Sequence, residues 1–316
     1  MRDEFAKIDW LKTRFELDGN DGEVVIGIGD DAAVMDFGNR PTVITVDTQV
    51  ENVHFRLDLI SHRDVGYRAM VAAVSDIWAM AAMPSASVVA LNLPANLSDE
   101  AFQELIEGLA DAARGTGARV IGGNLSRGDA LSITTTVFGL PIAQPIGRDS
   151  ARVGDAVYVT GTLGAAALGL AVLEAGRLDL EHGPRFAERW RKPPMNGQAA
   201  RSLAKLATAA VDVSDGCLQD LGHVCAASHV GATLFAHALP LDPGYEATCQ
   251  SLDVDPRELA LTGGEDYELL FTAAQSTEAA SFATLIGEIT EGSGVRVVDE
   301  RGESIEFARG GFRHFS

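Results

Sequence analysis

Six aspartates in four short segments of this chain have the residue type and the setting of a cation site. Each segment borders glycines or other small residues. Carboxylate oxygens are the ligands that magnesium prefers, and protein-bound magnesium commonly carries a phosphate group with it. If folding brings the segments together, they predict a magnesium site and a nucleotide-dependent phosphotransferase. The aspartates are Asp30, Asp31, Asp47, Asp76, Asp212 and Asp215.

Each acidic segment also has a simpler explanation when it is taken alone. The acid pair after Gly29 could cap a helix, and a lone acid such as Asp47 or Asp76 could be a solvated side chain of an acidic protein. Ser214 or Asp215 could cap the helix that follows them. Two acids and a hydroxyl within four residues, 212–215, are nevertheless more than a helix cap requires.

Two glycine pairs, in residues 121–124 and 261–266, are candidate ligand-binding turns. Paired glycines let backbone N–H groups approach a phosphate or a ring closely, and the alternative for each pair is an ordinary tight turn. Neither segment matches the phosphate-binding loop or the dinucleotide fingerprint. The sequence therefore argues against a P-loop enzyme and against a Rossmann dehydrogenase.

Length, composition and charge narrow the class of protein. A chain of 316 residues with 46% hydrophobic and 22% charged residues is an ordinary globular composition and suits two domains. The net charge of -20 argues against a nucleic-acid partner, whose phosphates are bound through Lys and Arg, and against an anionic membrane surface. An acidic protein that handles phosphates needs cations to mediate, which agrees with the aspartates.

The cysteines and the apolar segments indicate a soluble cytoplasmic protein. Cys217, Cys225 and Cys249 are odd in number and lack CxxC spacing, so we expect reduced thiols without a disulfide framework or a zinc site. The first residues carry no apolar signal-peptide segment. The most apolar helical stretch, 71–83, contains an aspartate and is too short to span a bilayer.

Hydrophobic periodicity predicts two α/β domains, 1–140 and 150–316, separated by a segment rich in proline and glycine at 141–154. Asp47 is predicted at the end of a strand over 41–47. Asp76 is predicted on a helical face with alanines at helical spacing. The predicted strands are 41–47, 87–93, 132–138, 156–160, 231–236, 267–272 and 295–298. The predicted helices are 61–83, 98–116, 165–175, 197–209 and 217–228.

Three further features have two interpretations each. The basic run 185–192 could neutralise a substrate phosphate, or it could be an exposed helix end that complements the helix dipole. His54 is a lone histidine, which is more often structural than catalytic. The aromatic segment 310–315 could fold back as a lid, or it could dock on the core.

Taken together and in this order, the motifs resemble the thiamine-monophosphate kinase family of the AIR synthetase-like superfamily. The resemblance extends from about residue 24 to the C-terminal aromatic segment. Its motifs are GIGDDAA from Gly27, TVD from Thr45, HF from His54, SDIWAM from Ser75, GGN from Gly122, GR from Gly147, DVSDG from Asp212 and GGEDYE from Gly263.

The resemblance implies a fold, a reaction and an assembly. The fold is α/β of the α+β type, a two-domain AIR synthetase-like fold with mixed sheets flanked by helices. The reaction is phosphorylation of thiamine monophosphate to thiamine diphosphate, with ATP as co-substrate and several Mg²⁺ ions. The assembly is a homodimer joined through the N-terminal domains. An ionised phosphate monoester needs no general base at neutral pH, because its second pKa is about 6.

The same resemblance assigns roles to individual residues. Asp47, Asp76 and Arg148 would be the catalytic residues. The metal ligands would be Asp31, Thr45, Val46, Asp47, Asp76, Asn124, Asp212 and Asp215. ATP would contact Gly123, Asn124, Arg148 and Ser214. The thiamine pocket would be lined by His54, Glu265 and Phe312.

Three residues depart from the family pattern. Val46 replaces a hydroxyl residue, Asn124 replaces an aspartate, and Phe312 replaces a tyrosine or tryptophan. Val46 and Asn124 fall on one predicted cation site and leave Asp47 as its only charged ligand. Two alternatives therefore stay open: a diverged, non-catalytic nucleotide-binding homodimer, and another ATP-dependent AIR synthetase-like enzyme.

Overall fold

The computed structural model describes residues 24–27, 29–38, 40–276, 278–305 and 307. They form two mixed β-sheets with helices packed against them, as the sequence predicts. Among these residues, no helix is both long and apolar enough to span a bilayer.

The first sheet has six strands in the order β1-β2-β3-β6-β4-β5. Its neighbours are antiparallel except for the last pair, because β5 runs parallel to β4. The strands are β1 Val24–Ile26, β2 Ala33–Asp36, β3 Pro41–Val50, β4 Ala82–Pro94, β5 Arg119–Gly128 and β6 Ser132–Pro141.

Two long helices cover one face of this sheet. Helix α1, His62–Ala79, begins at an N-cap, Ser61, whose hydroxyl accepts the N–H of Asp64. Helix α2, Asp99–Thr116, begins at Ser98 and ends at Gly117, which has the left-handed conformation that stops helices. Both helices begin within one residue of the predicted starts at 61 and 98.

The second sheet has seven strands in the order β13-β12-β9-β11-β7-β10-β8, and only the β12–β9 pair is parallel. The strands are β7 Ala156–Val159, β8 Ala209–Asp212, β9 Gly231–Phe235, β10 Leu269–Ala273, β11 Thr284–Thr290, β12 Gly294–Val298 and β13 Ser304–Ile305. The helices of this half are α3 Ala165–Glu174, α4 Gly183–Arg191, α5 Gly197–Leu206, α6 Cys217–Ser228, α7 Tyr245–Ser251 and α8 Pro256–Thr262. Single 3₁₀ turns lie at Ala236–Ala238 and Ala279–Ser281.

Helix α1 is the element that joins the two halves. It is buried along most of its length, because the first sheet packs on one side and β8, β10, α4 and α5 of the second half pack on the other. One continuous hydrophobic core therefore includes both Val137 of β6 and Phe271 of β10. Side chains of α1 that face the second half therefore lie against strands and helices of that half.

Several predicted elements differ from the observed ones: the predicted helix 197–209 ends at Leu206, where β8 follows from Ala209, and the strand predicted at 87–93 begins earlier, at Ala82. The predicted helix 61–83 ends at Ala79, because Ala81 adopts a left-handed φ of 53° and the chain then enters β4. Strand β3 continues three residues beyond Asp47 to Val50. The glycine pair predicted as a turn at 121–124 lies inside β5, where Gly123 is required because a Cβ there would come within 1.9 Å of the Val89 carbonyl oxygen.

We expect Gly108→Ala in α2 to destabilise the protein by at least about 2 kcal/mol, the scale of overpacking in a closed core. The new Cβ would lie 1.7 Å from the carbonyl oxygen of Arg63, so α1 and α2 would have to separate. The matched control is Gly222→Ala in α6, where nothing lies within 4 Å of the added Cβ. The free energy of unfolding of this control should increase by up to about 1 kcal/mol, since alanine is a better helix former than glycine. Denaturant unfolding measures both, and equal midpoints would contradict the close helix contact.

Candidate active site

Three of the predicted acids meet at one point between the two halves of the chain. Carboxylate oxygens of Asp31, Asp76 and Asp212 all lie within 4.8 Å of one another. Such a set of oxygens at this spacing is what a hard divalent cation requires. Among the residues that the structure describes, it is the one such group of acids and histidines.

Each acid reaches the cluster from a different element. Asp31 follows the β1 strand, Asp76 lies in the last turns of α1, and Asp212 is the last residue of β8. Thr45 of β3 donates its hydroxyl to Asp76 Oδ2 at 2.6 Å and lies 3.4 Å from the Asp31 carbonyl oxygen. The hydroxyl of Thr45 therefore ties the first sheet to the cluster, next to the predicted cation.

The electrostatics of the cluster are unfavourable without a cation. Burial raises the pKa of Asp76 well above its usual range, and repulsion from Asp212 and Asp31 adds to the rise. Burial likewise raises the pKa of Asp212 to about 7, with a further contribution from Asp31. Two carboxylates about 4 Å apart repel by roughly 4 kcal/mol at an effective dielectric constant near 20. Protons or metal ions must therefore neutralise part of this charge.

Arg148 is the cation that the chain itself supplies to the cluster. Its guanidinium forms a two-point contact with Asp31, through Nε at 3.2 Å and through Nη2. Its backbone N–H donates to Asp30 Oδ2 at 3.0 Å. Asp30 therefore orients the Arg148 segment and stays outside the acid cluster.

The loop after β8 carries Ser214 and Asp215 and is shaped by an acid that the sequence analysis did not select. The buried Asp220 carboxylate, one turn into α6, accepts the backbone N–H groups of Ser214, Asp215 and Gly216, each at 3.1 Å. Neither Ser214 nor Asp215 caps α6, whose N-cap is Gly216. The sequence signal that could have identified Asp220 is its position in the first turn of a helix that directly follows the acidic segment 212–215.

The second glycine pair brings two loops together. Glu265 and Tyr267 donate their backbone N–H groups to the carbonyl oxygens of Ser214 and Val213, both at 2.8 Å. A Cβ on Gly264 would lie 2.4 Å from the Ser214 carbonyl oxygen, so only glycine fits. Of the three acids in this motif, Asp266 accepts N–H groups at the start of α3, and Glu268 accepts from Thr160 and Arg189. Only Glu265 faces the cleft.

A cleft of about 350 Å³ opens directly over the acid cluster. His54 lines it, with its Nδ1 accepting the backbone N–H of Val50 at 3.1 Å. Glu265 and Tyr267 of the second half also line it. The predicted site residues that line the cleft are Val46, Asp47, His54, Asp76, Asp212, Ser214, Asp215 and Glu265.

Two predicted site residues, Gly123 and Asn124, lie away from both this cleft and the acid cluster within the described part of one chain. Gly123 and Asn124 lie on β5, whose neighbours in order are β4, β6 and β3. The register pairs Asn124 with Ala90, Thr134 and Thr48 in turn, so three strand spacings, roughly 14 Å, separate it from the Asp47 segment. Phe312 lies outside the described residues.

Each member of the basic run has a partner within the chain. Arg189 pairs with Glu268, and Lys192 pairs with Asp64 and Glu188. Arg191 donates to the Leu59 carbonyl oxygen, and Arg185 contacts Asp242. These contacts tie α4 and the residue after it to neighbouring segments.

Comparison with known proteins defines the class to which this fold and site belong. The AIR synthase related protein family matches the chain in two parts, its N-terminal domain over residues 29–141 and its C-terminal domain over residues 152–300.

Full-length relatives specify the class further. The thiamine-monophosphate kinase of Aquifex aeolicus is 32% identical over 99% of this chain and 98% of its own length, and that of Escherichia coli K12 is 34% identical over 93% of each. A solved structure described as AaThiL complexed with AMPPCP and TMP superposes with a TM-score of 0.89 at 32% identity, covering 99% of this chain and 97% of that one. The chain belongs to the thiamine-monophosphate kinase family. The resemblance, the fold class and the assignment to an enzyme class made from the sequence are confirmed.

Proposed function

We propose that this protein transfers the γ-phosphoryl group of ATP to the phosphate of thiamine monophosphate, which yields thiamine diphosphate and ADP. The observation that carries the proposal is the close cluster of Asp31, Asp76 and Asp212 beneath an open cleft. Both reactants are polyanions. In an acidic protein, bound cations must neutralise their charge before the two can approach each other. The names of the full-length relatives agree with this reaction.

The donor set fits magnesium. We propose that Asp31, Asp76 and Asp212, with Thr45, hold Mg²⁺, and that Asp47, Asp215 and the backbone of Val46 extend the site to further ions. Bound magnesium would supply charge neutralisation for the transferring phosphoryl group. The raised pKa values of Asp76 and Asp212 support this, because a cation would replace the protons that the acids otherwise retain.

The reaction needs positioning and charge stabilisation more than proton transfer. The acceptor oxygen belongs to a phosphate monoester whose second pKa is about 6, so it is largely ionised at neutral pH. His54 is not required as a base, and its Nδ1 already accepts a backbone N–H. Arg148 keeps Asp31 in place and adds positive potential for the nucleotide phosphates. Ser214, on the cleft wall, is proposed to contact ATP.

The substrate's thiamine part is proposed to lie between His54 and Glu265 in the cleft, with Phe312 closing over a ring. Thiamine carries a cationic thiazolium ring and an amino group on its pyrimidine ring. The Glu265 carboxylate can attract the cationic thiazolium ring, and it can accept a hydrogen bond from the amino group. We also propose that the two domains span residues 1–140 and 150–316. We propose a cytoplasmic location, where ATP is available.

An ADP-release assay with and without thiamine monophosphate tests the proposed reaction. ADP that forms only with thiamine monophosphate, together with thiamine diphosphate as product, supports the kinase. Nucleotide binding without any product would support the non-catalytic binding protein, which the departures at Val46 and Asn124 left open. ADP formed with a different second product would point to another AIR synthetase-like reaction.

We further propose that the working unit is a homodimer that covers β5. This edge strand is exposed along almost its whole length, with Ile121 67% and Leu125 64% exposed. A groove of about 410 Å³ between β5 and α2 is lined by apolar side chains that include Ile106 and Val120. Unpaired strand edges and contiguous apolar patches are unfavourable in water, and a second copy of the chain would cover both.

The dimer would also complete the active site. Within one chain Asn124 is too far from the acid cluster to share a cation with Asp47. We propose that Asn124 of the partner subunit supplies this ligand, together with the adjacent glycine backbone for ATP. The asparagine oxygen can coordinate a cation without adding negative charge.

Mixing two inactive variants tests whether Asn124 acts across the dimer. Asp76→Asn and Asn124→Ala subunits, mixed by unfolding and refolding, should regain about one quarter of wild-type activity, since half of the dimers are mixed and each has one intact site. Each variant refolded alone should stay inactive. No regained activity in a mixture shown to contain mixed dimers would contradict the proposal, because both lesions would then act within one chain.

A further inference from the structure

A fully buried arginine in α1 points at the Glu265 carboxylate from below. Arg68 is 1% exposed and lies in the part of α1 that faces the second half of the chain. Its Nη2 forms an ion pair with Glu265 Oε1, and its Nη1 donates to the Trp190 carbonyl oxygen. Burying a guanidinium is costly unless an opposite charge lies beside it, and the Glu265 carboxylate supplies that charge.

Aromatic rings enclose the same guanidinium. Its central carbon lies 5.0 Å from the Trp190 ring centroid and 6.0 Å from that of Tyr267. Both rings attract the cation through their π faces. The rings and the Glu265 carboxylate together hold Arg68 in one orientation.

The other carboxylate oxygen of Glu265 has its own donor. The indole Nε1 of Trp190 donates to Glu265 Oε2 at 2.9 Å, and the Trp190 side chain is itself 1% exposed. Each oxygen is therefore held by one buried group. The Glu265 side chain nevertheless keeps 26% of its surface exposed, on the side that lines the cleft.

The backbone of Glu265 is constrained as well. The residue adopts a left-handed φ of 70°, which is rare for a residue other than glycine, and its N–H donates to the Ser214 carbonyl oxygen. An uncommon conformation at a cleft residue persists only where the surroundings determine it. Backbone, ion pair and indole contact all direct the same carboxylate toward the cleft.

We infer that Arg68 and Trp190 are positioning residues that set the orientation of the Glu265 carboxylate for the aminopyrimidine of the substrate. This inference rests on the proposed function. The amino group of that ring is the one N–H donor that thiamine monophosphate carries, and the free lone pairs of Glu265 face the cleft as its acceptor. A carboxylate that is held in place binds such a donor with less loss of side-chain entropy than a mobile one.

Trp190→Phe tests the inference, because it removes the indole N–H and keeps an aromatic ring over Arg68. We expect the KM for thiamine monophosphate to rise about tenfold, the effect of losing roughly 1.4 kcal/mol of binding, while the KM for ATP and kcat change less than about twofold. The Kd for thiamine monophosphate, measured by calorimetry without ATP, should rise by the same factor.

Trp78→Phe is the matched control. Trp78 is also 1% exposed, and within the described part of the chain its Nε1 has no hydrogen-bond partner. This variant should leave both KM values unchanged. Equal effects of the two substitutions, or a rise in both KM values for Trp190→Phe, would overturn the positioning role.

A double-mutant cycle with Glu265→Gln separates positioning from general stabilisation. If Trp190 acts through the Glu265 carboxylate, Trp190→Phe should add little to the KM of a Glu265→Gln variant. Additive effects would contradict the inference. If Trp190→Phe does not fold, Arg68→Lys, which keeps the charge and loses the planar fork, replaces it in the same cycle. Wild-type protein that neither binds nor phosphorylates thiamine monophosphate would instead overturn the proposed function.

Discussion

Asp76→Asn is expected to reduce turnover by about three orders of magnitude or more, the scale on which preorganised charge-stabilising groups act. Asp76 has a carboxylate oxygen within 4.8 Å of those of both other acids, and it accepts the Thr45 hydroxyl. The substitution keeps the shape of the side chain and an oxygen that accepts from Thr45, but it removes the charge that would bind the cation. Steady-state ADP release at saturating ATP measures the effect.

The same variant should remain folded without metal. Asp76 in the wild type is repelled by Asp212 and Asp31, so a neutral side chain leaves the metal-free protein at least as stable. Its melting temperature should therefore equal or exceed that of the wild type, and its response to Mg²⁺ with ATP should be lost. Asp111→Asn, an exposed acid on α2 paired with Arg63, is the control and should keep wild-type turnover. Wild-type rates in Asp76→Asn would remove Asp76 from the site.

The second large effect concerns the melting temperature of the metal-free protein, which should depend on pH. Magnesium should abolish this dependence. In the fold without metal, burial and repulsion from Asp31 raise the pKa of Asp212 from 3.8 to about 7. Between these two values the folded protein binds more protons than the unfolded chain, so its stability falls as the pH rises. The melting temperature of metal-free protein should thus fall by several degrees between about pH 5 and pH 8.

Millimolar Mg²⁺ with ATP should restore the melting temperature at pH 8 and have little effect at pH 5. A bound cation replaces the proton, and its binding therefore strengthens as the acids lose their protons. Burial also raises the pKa of Asp220, so this residue makes its own contribution to the change of stability with pH. Asp212→Asn keeps Asp220 and is therefore the control. The difference in melting temperature between wild type and Asp212→Asn reports Asp212 together with its coupling to Asp76. A pH-independent difference would contradict the coupling of Asp212 to the cluster.

The elements that the sequence predicted well are those with strong local signals. Helix α6 occupies residues 217–228 as predicted, and α2, predicted over 98–116, spans Asp99–Thr116. Strand β5 was missed because its glycines resemble a turn. Gly123 is required there by close contact with Val89 of β4, and a contact between two strands has no signature within either one.

The acid cluster shows the same division between local and tertiary information. That Asp31, Asp76 and Asp212 were candidate ligands followed from residue type and from neighbouring glycines or other small residues. That their oxygens lie within 4.8 Å depends on α1 being packed between the two sheets, with Asp76 facing the end of β8. The separation of Asn124 from Asp47 likewise depends on strand order, which interposes β6 and β4.

The amino-acid sequence by itself determined the family, the acidic character of the site and most helices and strands, because composition, motif order and periodicity are properties of neighbouring residues. Only the tertiary structure decided which acids share one cleft, which glycines serve close backbone contacts, and that Arg68 and Trp190 hold Glu265. Those distances join residues far apart in the chain, and they are set by sheet order and helix packing, which no local pattern encodes.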